Sequence, residues 1–126
     1  MDKTILVAPD FKVGDQVLEM LDAAKFPLTV AAWVLAERLG GWQFVVSTLL
    51  YDKLGASEAY GRLIAAVRVN DPESMLFDDV RLMGSRHPFI RAVRRMFEGR
   101  DFRKGARIAG SIGDLYVEDA VVYRIK

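Results

Sequence analysis

The residue types that point most clearly to a chemistry are the basic residues between Arg86 and Arg107. This segment holds eight arginines and lysines against Glu98 and Asp101, a local net charge of +6. A planar guanidinium group donates two parallel hydrogen bonds to a phosphate, and clustered arginines create a potential that attracts nucleic acids. The segment therefore predicts a nucleic-acid-binding surface, whose candidate residues are Arg91, Arg94, Arg95, Arg103 and Lys104.

Two other interpretations of the same segment stay open. It is also typical of a solvated helix face followed by a charged loop, since no helix-turn-helix or RNA-binding signature accompanies it and the sequence pI is only about 8.0. Alternatively, the basic face meets the acidic stripe Asp15, Glu19 and Asp22 on another element or another chain. The aromatic ring of Phe102 is a candidate for stacking on an unpaired base if nucleic acid is the partner.

Carboxylates recur at predicted turns and strand ends, and this residue type serves metal-dependent hydrolysis when two or three converge on Mg²⁺. Their spacing matches no nuclease pattern, and turn formation or helix capping explains most of them. A carboxylate-metal hydrolase is therefore the weakest alternative, and we predict no metal and no cofactor. The acids in question are Asp10, Asp52, Asp78, Asp79, Asp114, Glu118 and Asp119.

Nucleophilic and histidine-based catalysis find little support. The chain has no cysteine, and its single histidine, His87, stands directly before Pro88 at a predicted helix start. A histidine at such a position is expected to cap the helix or to lie exposed, and a general base would need an orienting carboxylate and a nucleophile beside it. We therefore predict no catalytic residue, and a binding domain rather than an enzyme.

The elements that must position these residues follow from periodicity and turn signals. With 126 residues and 52% hydrophobic content, the chain is expected to form one globular domain over residues 1–126. The predicted order is β-α-β-β-α-β-α-β-β, an α+β fold with a predominantly antiparallel or mixed sheet of five to six strands and three helices mainly on one face. The predicted strands are 4–8, 28–36, 42–51, 76–83, 106–112 and 115–125, and the predicted helices are 10–25, 56–69 and 88–98.

Two apolar runs on either side of Gly40-Gly41 organise the predicted sheet. A two-residue Gly-Gly turn would place Leu35 opposite Val46 and Trp33 opposite Thr48. Because side chains alternate across a strand, both faces of this hairpin are predicted to be largely apolar. Three one-sided helices of moderate length are expected to cover only one face.

The uncovered face leads to a prediction of self-association. Exposed apolar patches of more than a few hundred Å² are uncommon on monomers, so we expect a homodimer that buries the second face. The alternative is that one helix crosses to that face and the monomer is a three-layer sandwich. The predicted dimer interface consists of Val30, Ala32, Val34, Val45 and Leu49.

The remaining bulk properties suggest a cytoplasmic protein. The amino terminus has no signal-peptide pattern, the longest apolar run is too short for a membrane helix, and the lack of cysteine is compatible with a reducing compartment. From the sequence, then, the favoured function is a self-associating binding domain. Nucleic-acid binding comes next, and metal-dependent hydrolysis last.

Overall fold

A computed structural model describes residues 11–70, 80–100 and 102–126, which form an α+β fold around one five-stranded mixed sheet. The helices and strands follow the predicted order closely from the first helix onward. They are α1 (Lys12–Ala23), β1 (Val30–Ala36), β2 (Gly41–Ser47), α2 (Leu49–Leu54), α3 (Ala56–Asn70), β3 (Val80–Met83), α4 (Pro88–Met96), β4 (Ala106–Ile112) and β5 (Leu115–Ile125).

The sheet has the strand order β3-β2-β1-β5-β4. Strand β1 lies at its centre and pairs antiparallel with β2 and β5, while β4 extends the sheet as an antiparallel partner of β5. Strands β2 and β3 are parallel, and the chain between them passes through α2 and α3. All seven residues of β1 are buried except Leu35, which is half-buried, so this strand must be covered on both sides.

The β1–β2 hairpin differs from the prediction in its turn. Glu37–Leu39 form a 3-10 turn and Gly40 follows with φ of 80°, so the connection is longer than two residues. Leu35 consequently pairs with Trp42 and Trp33 with Phe44, and the predicted register was wrong by four residues. Because a shift of four is even, the side chains of β1 and β2 stay on the faces that were assigned to them.

One face of the sheet is covered by α1 and α3. Leu21 of α1 and Leu63 and Val67 of α3 are essentially inaccessible, and they belong to one core cluster with Trp33 and Phe44 of the sheet. The ring of Phe44 lies between those of Trp33 and Tyr123, with centroid distances of 5.3 Å and 5.5 Å. Burial of these large aromatic surfaces is the main stabilising contribution on this side.

The other face is covered by α4. Its residues Phe89, Ile90 and Val93 are fully buried in a second core cluster that contains Val34 and Val45 of the sheet. The turn of the β4–β5 hairpin also contacts this helix, since a Cβ on Gly113 would lie 2.5 Å from the carbonyl oxygen of Pro88. Two of the predicted three helices therefore share one face, and the third crosses to the other, as in the three-layer alternative.

This arrangement corrects the basis of the predicted dimer interface. Val30, Ala32, Val34 and Val45 are at most 1% exposed within the single chain, so their face is not offered to a second copy. Only Leu49, at 46% exposed, remains on the surface. The reason is that α4, although short, fills the second face together with the β4–β5 hairpin. Self-association itself stays a prediction that the structure does not test.

The element boundaries agree best where turn signals are strong. Strands β4 and β5 begin and end where predicted, and Pro88 begins α4. The predicted strand over 42–51 is too long, because the Thr48 hydroxyl oxygen accepts a hydrogen bond from the Leu50 amide and begins α2. The predicted strand over 4–8 and the first part of 76–83 lie outside the described residues. None of the helices in the described ranges is both long and apolar enough to cross a membrane.

Two helical glycines give a matched test of the packing between α1 and β5. A Cβ on Gly14 would lie 2.6 Å from the ring of Tyr123, whereas one on Gly61 in α3 would meet nothing within 4 Å. We expect Gly14→Ala to lower the free energy of unfolding by roughly 1–3 kcal/mol through overpacking. Gly61→Ala is expected to raise it by roughly 0.5–1 kcal/mol, because alanine favours helix. Urea denaturation measures both, and equal stability of Gly14→Ala and the wild type would contradict the packing.

Candidate nucleic-acid interface

Helix α4 carries the core and the candidate site on opposite arcs. Phe89, Ile90 and Val93 face the sheet, while Arg91, Arg94 and Arg95 are exposed. Residues three and four apart lie on the same side of a helix with Cβ atoms about 5–6 Å apart. The three guanidinium groups therefore share one outward arc on a helix that is about 14 Å long, nine residues at 1.5 Å each.

The arginines of this arc are not neutralised by the rest of the described chain. Arg91, Arg94 and Arg95 form no ion pair with any residue in the described ranges. Two other exposed cations of the carboxyl-terminal half do pair with carboxylates: Lys104 Nζ lies 2.8 Å from Asp15 Oδ1, and Arg107 lies 3.4 Å from Asp119. The three arginines of α4 share one outward arc and have no such pair among the described residues, and we call them the arginine arc.

The structure divides the predicted basic segment into two parts. Side chains alternate along β4, so that Ile108 packs in the α4-side core while Arg107 lies on the α1 side, with its guanidinium 5.6 Å from the ring centroid of Phe11. Lys104 turns to the α1 side as well, through Asp15. Arg103 is exposed on the loop that follows α4. Of the five predicted candidates, Arg91, Arg94 and Arg95 thus lie together, whereas Lys104 points to the α1 side of the sheet.

Two acids of the acidic stripe on α1 form ion pairs within the same chain, with cations that lie outside α4. Asp15 pairs with Lys104, and Asp22 accepts two hydrogen bonds from Arg124, at 2.8 Å and 2.7 Å. The hydrogen bonds from Arg124 lower the pKa of Asp22 below its ordinary value, against a smaller opposing effect of burial. The stripe therefore ties α1 to the sheet and to the loop before β4 rather than to the arginine arc.

The start of α4 is fixed by its own cap. The Nδ1 atom of His87 accepts a hydrogen bond from the Phe89 amide at 3.1 Å, and Pro88 occupies the first turn, where its missing N–H costs nothing. The capping role predicted for His87 is confirmed. Capping accounts for the position of this histidine without a catalytic role.

A second contact, between Asp52 and Ser85, holds the loop that leads into α4. Asp52 Oδ2 accepts hydrogen bonds from the Ser85 hydroxyl at 2.6 Å and from the Ser85 amide at 3.1 Å. The hydroxyl contact contributes most to lowering the pKa of Asp52. Sequence reasoning missed this pair, because the two residues are 33 positions apart and each fits a turn on its own.

The other sequence candidates do not assemble into sites. The ring of Phe102 packs edge-on against Phe97, with centroids 5.4 Å apart, so this surface is engaged within the protein. Within the described ranges, no three histidine or acidic side chains come together as metal ligands. The predicted carboxylates Asp10, Asp78 and Asp79 lie outside those ranges. An open groove of about 310 Å³ beside Phe26 and Leu50 is lined largely by apolar side chains.

The cap of α4 provides a test of how the arginine arc is positioned. We expect His87→Ala to lower the free energy of unfolding by about 0.5–2 kcal/mol, the usual cost of losing a side-chain cap. His87→Asn is expected to recover most of the loss, because its amide oxygen also accepts from the helix amide. Thermal or urea unfolding at pH 8 measures both variants. A His87→Asn variant no better than His87→Ala would argue against the capping role.

The Asp52–Ser85 contact predicts a pH dependence of stability with a definite sign. The pKa of Asp52 is lower in the folded protein than in the unfolded chain, where it is about 3.9. Its contribution is therefore present above that value and is lost as the pH falls through the lower folded-state pKa. We expect Ser85→Ala to be less stable than the wild type at pH 6, with a difference that shrinks between about pH 4 and pH 2.

Unfolding curves at several pH values check this expectation. The matched control is Ser85→Ala in an Asp52→Asn background, where no carboxylate titrates at this position, so its penalty relative to Asp52→Asn alone should be the same at pH 6 and pH 3. A Ser85→Ala penalty that stays constant from pH 6 to pH 2 would contradict the assignment.

The arginine arc can bind anions with closely spaced phosphates. It presents three permanently charged, planar donors on a helix that is anchored by three buried side chains. Glu98 is the only carboxylate among the described residues from Arg86 to Lys104. No protein family, no curated protein and no solved structure matches this chain.

Proposed function

We propose that the protein is a non-enzymatic binding domain that binds nucleic acid through the arginine arc of α4. The observation that carries this proposal is that three exposed arginines share one face of α4 and pair with no carboxylate in the described ranges. The exposed Lys104 and Arg107, by contrast, pair with carboxylates of the same chain.

The charge around the arc supports the same function. Arg86, Arg100 and Arg103 are exposed and lie on the loops that enter and leave α4. Residues 80–126 carry eleven basic and five acidic residues, although the whole chain has a net charge of only +1. Lys104, Arg107 and Arg124 of this half pair with acids elsewhere, so the remaining exposed cations on α4 and its two loops are the arc together with Arg86, Arg100 and Arg103. A local cluster of this kind attracts a polyanion even when the net charge of the chain is small.

The anchoring of the helix also supports binding. Phe89, Ile90 and Val93 hold α4 against the sheet, while His87 and the Asp52–Ser85 contact fix its beginning. A helix held in this way presents its arginines with little loss of backbone entropy on binding, which favours affinity.

The proposal predicts a salt-dependent affinity that depends on the arc. We expect a fluorescein-labelled 20-base-pair DNA to bind at 20 mM salt, with log K falling against log salt at a slope of about −3 for three phosphate contacts. The triple variant Arg91→Gln/Arg94→Gln/Arg95→Gln is expected to lose at least about tenfold in affinity at 50 mM salt, with a slope nearer zero. Fluorescence anisotropy measures both quantities.

The matched control removes the same charge from another part of the surface. Lys53→Gln/Arg62→Gln/Arg68→Gln changes three exposed cations on α2 and α3, on the side of the sheet away from α4. Both triple variants have the same formal net charge, so a general charge effect would weaken binding equally. The control is expected to stay within about twofold of the wild type. No binding at 20 mM salt, or equal losses in the two variants, would overturn the proposal.

A further inference from the structure

We propose that the arginine arc binds the phosphate backbone of a double helix, and that it reads neither unstacked bases nor base sequence. This inference rests on the proposed nucleic-acid function and names the form of nucleic acid that the surface takes. Three features support it: the packing of the nearby aromatic rings, the packing of the first turn of α4, and the spacing of the phosphates that three neighbouring arginines can contact.

The aromatic rings near the arc are buried or half-buried through contacts within the protein. Phe89 is fully buried, and Phe97 and Phe102 are half-buried and packed edge to face at an interplanar angle of 90°. Proteins that bind single strands rely on exposed aromatic platforms, worth about 1–3 kcal/mol per stacked base. Among the described residues from 80 to 107, no aromatic side chain is exposed in this way.

Among the described residues, the most exposed aromatic one lies on a different side of the molecule. Tyr116 is 66% exposed, but its neighbours Leu115 and Val117 face the α4-side core. Because side chains alternate along a strand, Tyr116 points away from that core and from the arc. Within the part of the chain that the structure describes, a single strand bound to the arginine arc would therefore find no exposed ring on which to stack its bases.

The amino-terminal end of α4 offers no polar side chain to base edges, because Phe89 and Ile90 are buried and the exposed Pro88 has no hydrogen-bonding group in its side chain. In recognition helices the amino-terminal residues enter the major groove and contact base edges. Here the first turn of α4 is packed under the β4–β5 turn, where Gly113 approaches the Pro88 carbonyl too closely for a Cβ. What α4 leaves exposed from Arg91 onward is mainly the arginine arc. Contacts from such a surface go to phosphates, which fix orientation without carrying sequence information.

The charge density of a duplex suits a short arc better than that of a single strand. Duplex DNA carries one charge per 1.7 Å of axis against about 3.4 Å for one strand, and each phosphate contact releases more condensed counterion, about 0.9 against 0.7. The arc spans only a little more than one turn of helix, about 6 Å for the four residue steps from Arg91 to Arg95 at 1.5 Å each. Over that length the duplex offers more phosphates within reach and a larger entropic gain.

A competition experiment tests this inference on the full chain. A labelled 20-base-pair duplex is bound at 50 mM salt and displaced by unlabelled competitors at equal phosphate concentration: the same duplex, a duplex of unrelated sequence, and oligo-dT and oligo-dA of the same length. We expect the two duplexes to compete within about twofold of each other, and both single strands to be at least about fivefold weaker.

The outcomes separate this inference from the function on which it rests. A single strand that competes as well as the duplex, or a tenfold preference for one duplex sequence, would overturn the inference while leaving nucleic-acid binding intact. If the labelled duplex does not bind at 20 mM salt, or binds equally well to the arginine-arc variant, the proposed function itself fails.

A surface variant gives a second measurement. Tyr116→Ala removes the most exposed aromatic side chain from a position where folding should tolerate it. Its affinity for duplex and for oligo-dT is expected to stay within about twofold of the wild type. A selective loss of oligo-dT binding in this variant would show that single strands stack on the protein, and it would overturn the inference.

Discussion

A central strand that is apolar on both sides requires a cover on both sides, and the rest of the architecture follows from this constraint. Every residue of β1 is at least half-buried, and its side chains belong alternately to the two core clusters. Leaving either cluster in water would forfeit roughly 25 cal/mol for each Å² of apolar surface. The chain meets the requirement with α1 and α3 on one side and with α4 and the β4–β5 hairpin on the other. Because α4 is the helical part of that second cover, its outer arc necessarily becomes a surface of the molecule.

Much of this fold could be predicted from local patterns. Proline before an amphipathic run marked the start of α4, and Gly113-Asp114 marked the turn between β4 and β5. The register of the β1–β2 hairpin could not be predicted in the same way. A two-residue Gly-Gly turn and a longer 3-10 turn can both place a glycine at a positive φ such as that of Gly40. Periodicity nevertheless assigned the side chains of β1 and β2 to the right faces, because both registers share the same parity. The error that mattered was about area: three one-sided helices were expected to cover only one face, whereas the nine residues of α4 cover the second one.

The candidate site was predictable in part, for a related reason. Arg91, Arg94 and Arg95 share one arc by helical spacing alone, so sequence reasoning placed them together. It could not separate them from Lys104, because the direction of that side chain depends on Asp15, 89 positions away. The Asp52–Ser85 contact and the pairing of Asp22 with Arg124 are equally non-local. Each of these residues is polar and unremarkable in its own neighbourhood, and only the folded sheet brings the partners within hydrogen-bond distance.

The two arcs of α4 have no residue in common, and this has a consequence for how the protein can change over time. The inward arc, Phe89, Ile90 and Val93, is completely buried and contributes to folding, whereas the arginines of the outward arc are exposed and form no ion pair within the described residues. Surface substitutions of this kind usually alter stability by less than about 0.5 kcal/mol. The arginines of the outer arc can therefore be replaced during evolution, which changes the ligands that this surface attracts, without loss of core packing. Such replacements cost little stability as long as Phe89, Ile90 and Val93 are kept.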